Sequence, residues 1–137
     1  MVVYAAYFLD GDPLGAYNKR LLAELLEHID SHKELSIIGG DFNTTPDTMT
    51  DLLASAGSAM TVAATDAPTC RVGRGTTIDY FITDARLSTA IADVTARTQY
   101  RISPHSPVDQ LLNVLGRSHA PPASLARRAA IWPSTRP

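Results

Sequence analysis

The stretch IIGGDFNTTPD, residues 37–47, decides how this chain is read. Two isoleucines and two glycines read as the end of a buried strand. Thr45 ahead of Pro46 reads as the N-cap and first position of a helix. Between strand and helix stand a carboxylate, Asp41, and a carboxamide, Asn43, two residues apart. Both are turn formers, able to bond their own backbone. They also sit where strand ends of α/β sheets enter loops and meet ligands. An Asp there can bind a divalent cation or orient a water, and an Asn can donate to a phosphoryl oxygen. Gly39 and Gly40 would let the backbone bend and a substrate approach closely.

Toward the N-terminus, VVYAAYFL (2–9) is β-branched, aromatic and apolar, and stops at the turn signal DGDP. Asp12 before Pro13 reads as an N-cap, and Leu21, Leu22, Leu25, Leu26 and Ile29 recur at helical spacing up to about His32. LSIIGGD (35–41) is the second buried strand, and the helix opened by Thr45-Pro46 runs through DTMTDLLASAG to Gly57. The order β-α-β-α predicts an α/β fold. Toward the C-terminus the helical period fades. TTIDYFIT (76–83), IADVTARTQY (91–100) and PVDQLLNVL (107–115) read as three strands with short loops, so antiparallel pairing is expected there. Residues 116–137, rich in Pro, Ser and Arg, read as a flexible tail in which SLARRAAIW forms two helical turns at most.

Composition sets the outer limits. With 45% hydrophobic and 19% charged side chains over 137 residues, the chain has the make-up of one small globular domain or of part of a larger one. A net charge of −2 makes no case for nucleic acid on its own, but the charge is uneven. Residues 1–100 carry seven basic and thirteen acidic side chains, and residues 101–137 carry five and one. The Arg-containing end reads as a solvated tail that could also touch phosphate. Cys70 is the only cysteine, which excludes an internal disulfide and a cysteine-based metal site. The N-terminal residues have no basic leader region and no 18-residue apolar span occurs, so no membrane span and an intracellular, cytoplasmic or nuclear location are expected.

Two further clusters could carry chemistry. Asp79 interrupts the β-favouring run TTIDYF, and strict alternation cannot say whether it faces inward or out. If buried it needs a partner, and an imidazole is a natural one. His105 lies between two prolines in RISPHSPV, a short stiff loop ahead of the last strand. It reads as an ordinary turn histidine, or, bonded to a carboxylate such as Asp79, as a phosphate-stabilising cation or a general acid.

Taken in order, IIGGDFNTTPD, the Pro68-Thr69 pair, GTTIDYFIT and SPHSPV resemble the C-terminal half of the endonuclease/exonuclease/phosphatase superfamily, over residues 2–115. That family includes apurinic/apyrimidinic-type and DNase I-like endonucleases, non-LTR retrotransposon endonucleases, and sphingomyelin and inositol-phosphate phosphatases. The resemblance implies an incomplete four-layer α/β sandwich of the DNase I-like type over residues 1–115, followed by the tail. It implies Asp41 as the residue that orients or activates the attacking water, and Asn43 as the contact to the scissile phosphate. Asp79 would orient the catalytic His105, and Tyr7 would stand near the phosphate. Mg²⁺ or Mn²⁺ is the implied cofactor, with Asp41 and Asn43 as its partial ligands here. DNA is the implied phosphodiester substrate, ahead of lipid or inositol phosphates.

Two departures shape the expectation. The family's S-D-H reads Ser103-Pro104-His105 here, so one carboxylate is replaced by proline. The family's early Asn and principal metal-binding Glu have no counterpart ahead of Asp41, where the acids fall on a helix or in a turn. Weak or no activity of the chain alone, as a truncated member, is therefore expected, with a second chain as a possible source of the missing strands. A catalytically silent interaction module and a gene fragment are the competing readings. A calcineurin-type metallophosphoesterase would need a G-N-H-[DE] run and more histidines than His28, His32, His105 and His119.

Overall fold

A computed structural model describes residues 1–100 and 102–113, and the backbone of residues 127–131. The elements follow in the order β1 (Val2–Tyr7), α1 (Ala16–His32), β2 (Ser36–Asp41), α2 (Pro46–Ser55), β3 (Met60–Ala63), β4 (Asp79–Asp84), a 3-10 helix (Ala85–Ala90), β5 (Ile91–Ala96), β6 (Val108–Leu112) and β7 (Arg127–Ile131). They build two sheets, one ordered β1-β2-β4-β3 and the other β5-β6-β7. β1 and β2 run parallel, linked through α1, and every other pairing is antiparallel.

The continuous apolar runs in β2 and β4 are explained by burial on both faces. Ile38, Tyr80 and Ile82 point to one side, where they pack with Leu22, Leu26 and Ile29 of α1 and Met49 and Leu53 of α2. Ile37 and Phe81 point to the other side, against Val108 and Leu112 of β6 and Leu87 of the 3-10 helix. The described residues thus form helix, sheet and sheet layers. The structure shows a mixed α/β fold with two sheets. No helix covers the outer face of the second sheet among the described residues, so the fourth layer of a DNase I-like sandwich is not seen.

Local chemistry corrects several sequence-based boundaries. Asp12 does not cap α1: Asp12 to Gly15 form a turn closed by Gly15 N–H to Asp12 O at 2.9 Å, and the helix starts at Ala16 with Gly15 as N-cap. The buried Asn18 organises that turn, accepting from Leu9 N–H at 2.9 Å and donating to Leu9 O and Asp12 O at 3.0 and 3.1 Å. Thr45 does cap α2, its side chain accepting from Thr48 N–H, with Pro46 in the first turn. Residues 76–78 leave the expected strand because Ile78 N–H bonds a threonine hydroxyl and Thr76 pairs with Cys70. β5 stops at Ala96, where Arg97 N–H turns to Pro107 O at 2.7 Å. The short β3 was not foreseen. Residues 127–131, expected to take at most helical turns, pair with β6 as β7, while 114–126 and 132–137, including the rest of that segment and tail, lie outside the described residues.

Gly40 serves packing rather than substrate approach. A Cβ built there would lie 2.2 Å from Ala6 O of the neighbouring β1, so the parallel contact requires a residue without one. Among the described residues β1 is the edge of its sheet, and its Val3 is 55% exposed.

Candidate active site

Strand pairing places three of the expected residues in one row. Tyr7 of β1 lies opposite Asp41 of β2, and Asp41 lies opposite Asp79 of β4. All three fall on the sheet face turned toward the second sheet, since the residues that alternate with them, Ala6, Phe42 and Tyr80, belong to the helix-side core. That core is aromatic directly beneath the row: Phe42 stacks on Tyr80 at 4.6 Å between centroids and meets Phe8 edge-on at 5.3 Å. Burial of three such rings, each worth about 1.5–3 kcal/mol, makes the floor of the site rigid.

Asp79 faces inward and is 3% exposed, which resolves the ambiguity left by its sequence context. Its partner is the one chemistry suggested. His105 Nδ1 lies 2.9 Å from Asp79 Oδ2 and 3.2 Å from Oδ1. The carboxylate can only accept, so Nδ1 carries the proton and donates. Nε2 then faces Asp41, 3.9 Å from its Oδ2. That gap is too long for a direct hydrogen bond, and an oxygen bonded to both atoms would sit to one side of the line between them. Ligand atoms of Asp41, Asp79 and His105 all lie within 4.8 Å of one another.

The loop holding His105 is fixed by a hairpin that sequence reasoning had quoted only in part. Thr69, fully buried, accepts on its hydroxyl from both Ile78 N–H and Asp79 N–H at 3.0 Å, and its carbonyl accepts from Ser106 N–H at 2.6 Å. One threonine therefore ties the strand carrying Asp79 to the loop carrying His105. Arg71 extends the tie, its N–H donating to Pro104 O at 2.9 Å and its guanidinium to Thr98 O and Ser106 Oγ at 2.8 and 3.1 Å. The Pro68-Thr69 pair was the available signal for Thr69, and nothing local in the sequence marks Arg71.

Asn43 stands apart from this cluster in role. It has a left-handed backbone, φ 49°, its N–H donates to Asp41 Oδ1 at 3.1 Å, and its Nδ2 donates to Phe8 O at 2.7 Å. One of its two amide donors is thus committed to holding the β1 exit against the Asp41 turn. The turn-forming reading describes what is observed at Asn43.

Burial and the neighbouring Asp79 carboxylate push the Asp41 pKa up from its ordinary value, against the lowering effect of Asn43 N–H and His105. Burial, with a smaller contribution from Asp41, also pushes the Tyr80 phenol up strongly. Among the described residues the Tyr80 hydroxyl has no hydrogen-bond partner.

As a magnesium site the donor set is incomplete. Mg²⁺ takes oxygen ligands, the buried Asp79 carboxylate is turned to His105 Nδ1, and an imidazole is a poor ligand for so hard an ion. Asp41 is the one carboxylate of the cluster left open to an ion. No protein-family model matches the chain, and no curated protein matches it significantly.

Proposed function

We propose that this chain carries a phosphodiester-hydrolysing site of the endonuclease/exonuclease/phosphatase type, with DNA ahead of lipid or inositol phosphates as substrate. The observation that supports it is the Asp41–His105–Asp79 arrangement: an open carboxylate with a raised pKa facing an imidazole whose tautomer a buried carboxylate sets. In this reading Asp41 takes a proton from the attacking water as its oxygen bonds to phosphorus, while the P–O bond to the leaving alkoxide breaks on the opposite side and that oxygen takes a proton from solvent. The His105 Nε2, when protonated, donates to a phosphoryl oxygen seated beside it, and Asp79 keeps the ring in place. Tyr7, one strand over in the same row, borders the phosphate, and Asn43 holds the turn that presents Asp41. Mg²⁺ or Mn²⁺ belongs to the proposal as the ion the resemblance implies, with Asp41 as its ligand in this chain. It would supply charge stabilisation at the phosphoryl group.

A second reading has its own support. Pro104 offers no carboxylate beside His105, and the Asn43 amide is engaged with Phe8. Both suit a silent fold kept as an interaction module. Nicking of supercoiled plasmid by the folded chain, with Mg²⁺ against EDTA, separates the two. The hydrolase reading expects slow metal-dependent nicking that Asp41→Ala or His105→Ala lowers about 100-fold or more. Nicking that survives both substitutions, or its absence from folded protein, leaves the silent module.

A further inference from the structure

We propose that the last turn of α1 is a binding site for a borderline divalent metal ion such as Zn²⁺, held by His28 and His32 and separate from the Asp41–Asp79–His105 cluster. The two histidines stand four residues apart in EHIDSH, the spacing that puts side chains on one face of a helix one turn apart. Their ring centroids are 4.2 Å apart with a 42° tilt, and both residues are exposed. A tetrahedral zinc holding two nitrogens at about 2.0–2.1 Å separates them by roughly 3.3 Å, a spacing compatible with rings this close.

The hydrogen bonds prepare the ligands. His32 Nδ1 lies 2.8 Å from the His28 carbonyl, which can only accept, so Nδ1 carries the hydrogen and Nε2 carries the lone pair. Ser31 Oγ, 2.9 Å from the same nitrogen and donating to the same carbonyl at 2.7 Å, reinforces that geometry. A second ring nitrogen bonded to a backbone carbonyl is the usual way a metal-binding histidine is oriented. The His28 ring is steadied by an edge contact with Tyr4 of β1, centroids 5.9 Å apart.

The electrostatics favour a cation. His32 is the final helical residue, where the negative end of the helix dipole attracts positive charge. Glu24, Glu27, Asp30 and Glu34 surround this half of the helix, with Lys33 and the Glu24-paired Arg20 as the nearby cations. Two imidazoles select Zn²⁺, Ni²⁺ or Cu²⁺ over Mg²⁺. EHIDSH places Ile29 where a zinc protease motif places its catalytic Glu, so the site binds rather than reacts. Through Tyr4 a bound ion would brace the helix end against the edge strand.

The test is a Zn²⁺ titration of the full chain, followed by calorimetry and by the side-chain nitrogen resonances of its four histidines. The expected result is a saturable, joint shift of the His28 and His32 Nε2 signals. His28→Gln and His32→Gln, both on an exposed helix face, should each weaken binding tenfold or more, and Ser31→Ala by about tenfold. Shifts confined to His105 or His119, unchanged affinity in His28→Gln, or no binding of Zn²⁺ overturns the proposal. None of these outcomes depends on whether the chain hydrolyses phosphodiesters.

Discussion

Asp41 holds its charge at a cost to the fold, and the sign of that cost is testable. Its pKa is raised in the folded protein, first by burial and then by Asp79, so the native state binds more protons than the unfolded chain over the interval above the ordinary carboxylate value. Stability therefore falls as pH rises through that interval. Asp41→Asn keeps an acceptor for Asn43 N–H and removes the charge, and it should raise the melting temperature at neutral pH. The gain should vanish in acid, where both proteins are uncharged at this position; melting curves across pH for the two proteins check it. If the proposed hydrolysis holds, a stabilised Asp41→Asn variant without nicking activity would be the trade expected of a charge kept for function. At this scale the sequence was informative about identity and silent about direction. The types and order of Asp41, Asp79 and His105 singled them out, but the inward orientation of Asp79 depends on strand register, which its neighbours Ile78 and Tyr80 could not settle. Thr69 and Arg71 were hidden because their work is done on backbone groups distant in sequence.

Elements were legible where one force dominated. α1 shows its apolar stripe in Leu22, Leu26 and Ile29, α2 its Thr45-Pro46 start, and β2 and β4 their double-sided apolar runs. Where pairing across space outweighed local preference the reading slipped. Arg127 to Ile131 has Arg and Ala in helix-favouring proportion, yet the chain forms β7 because the open side of β6 can take a strand. β3 is only Met60–Ala63, too short to display a period. The close β1–β2 contact yields the sharpest prediction at this scale. Gly40→Ala puts a methyl 2.2 Å from Ala6 O, a backbone atom that cannot rotate away. A loss of about 3 kcal/mol is expected, on the scale of overpacking. Denaturant unfolding should show it as a lowered midpoint with an unchanged slope.

Across the whole molecule, stability should follow the sheet order. β2 and β4 are central in the first sheet and buried on both faces, whereas β1 is an edge with Val3 largely open. Backbone amides of β2 and β4 should exchange with deuterium at least about tenfold more slowly than those of β1, measured residue by residue by NMR. Equal protection would mean that the free side of β1 is covered in solution. The layered α/β character followed from the order of elements, while the outer layers depend on segments whose packing no local pattern announces. The row that joins Asp41 to Asp79, with His105 hung from a hairpin beyond it, has a consequence in time as well as in space. During synthesis the ribosome releases α1, β2 and α2 long before residue 105, so a growing chain can bury much of its helix-side core while Asp41, Asp79 and His105 are still apart. The constellation comes into being in one late closure, and no partly made chain carries it.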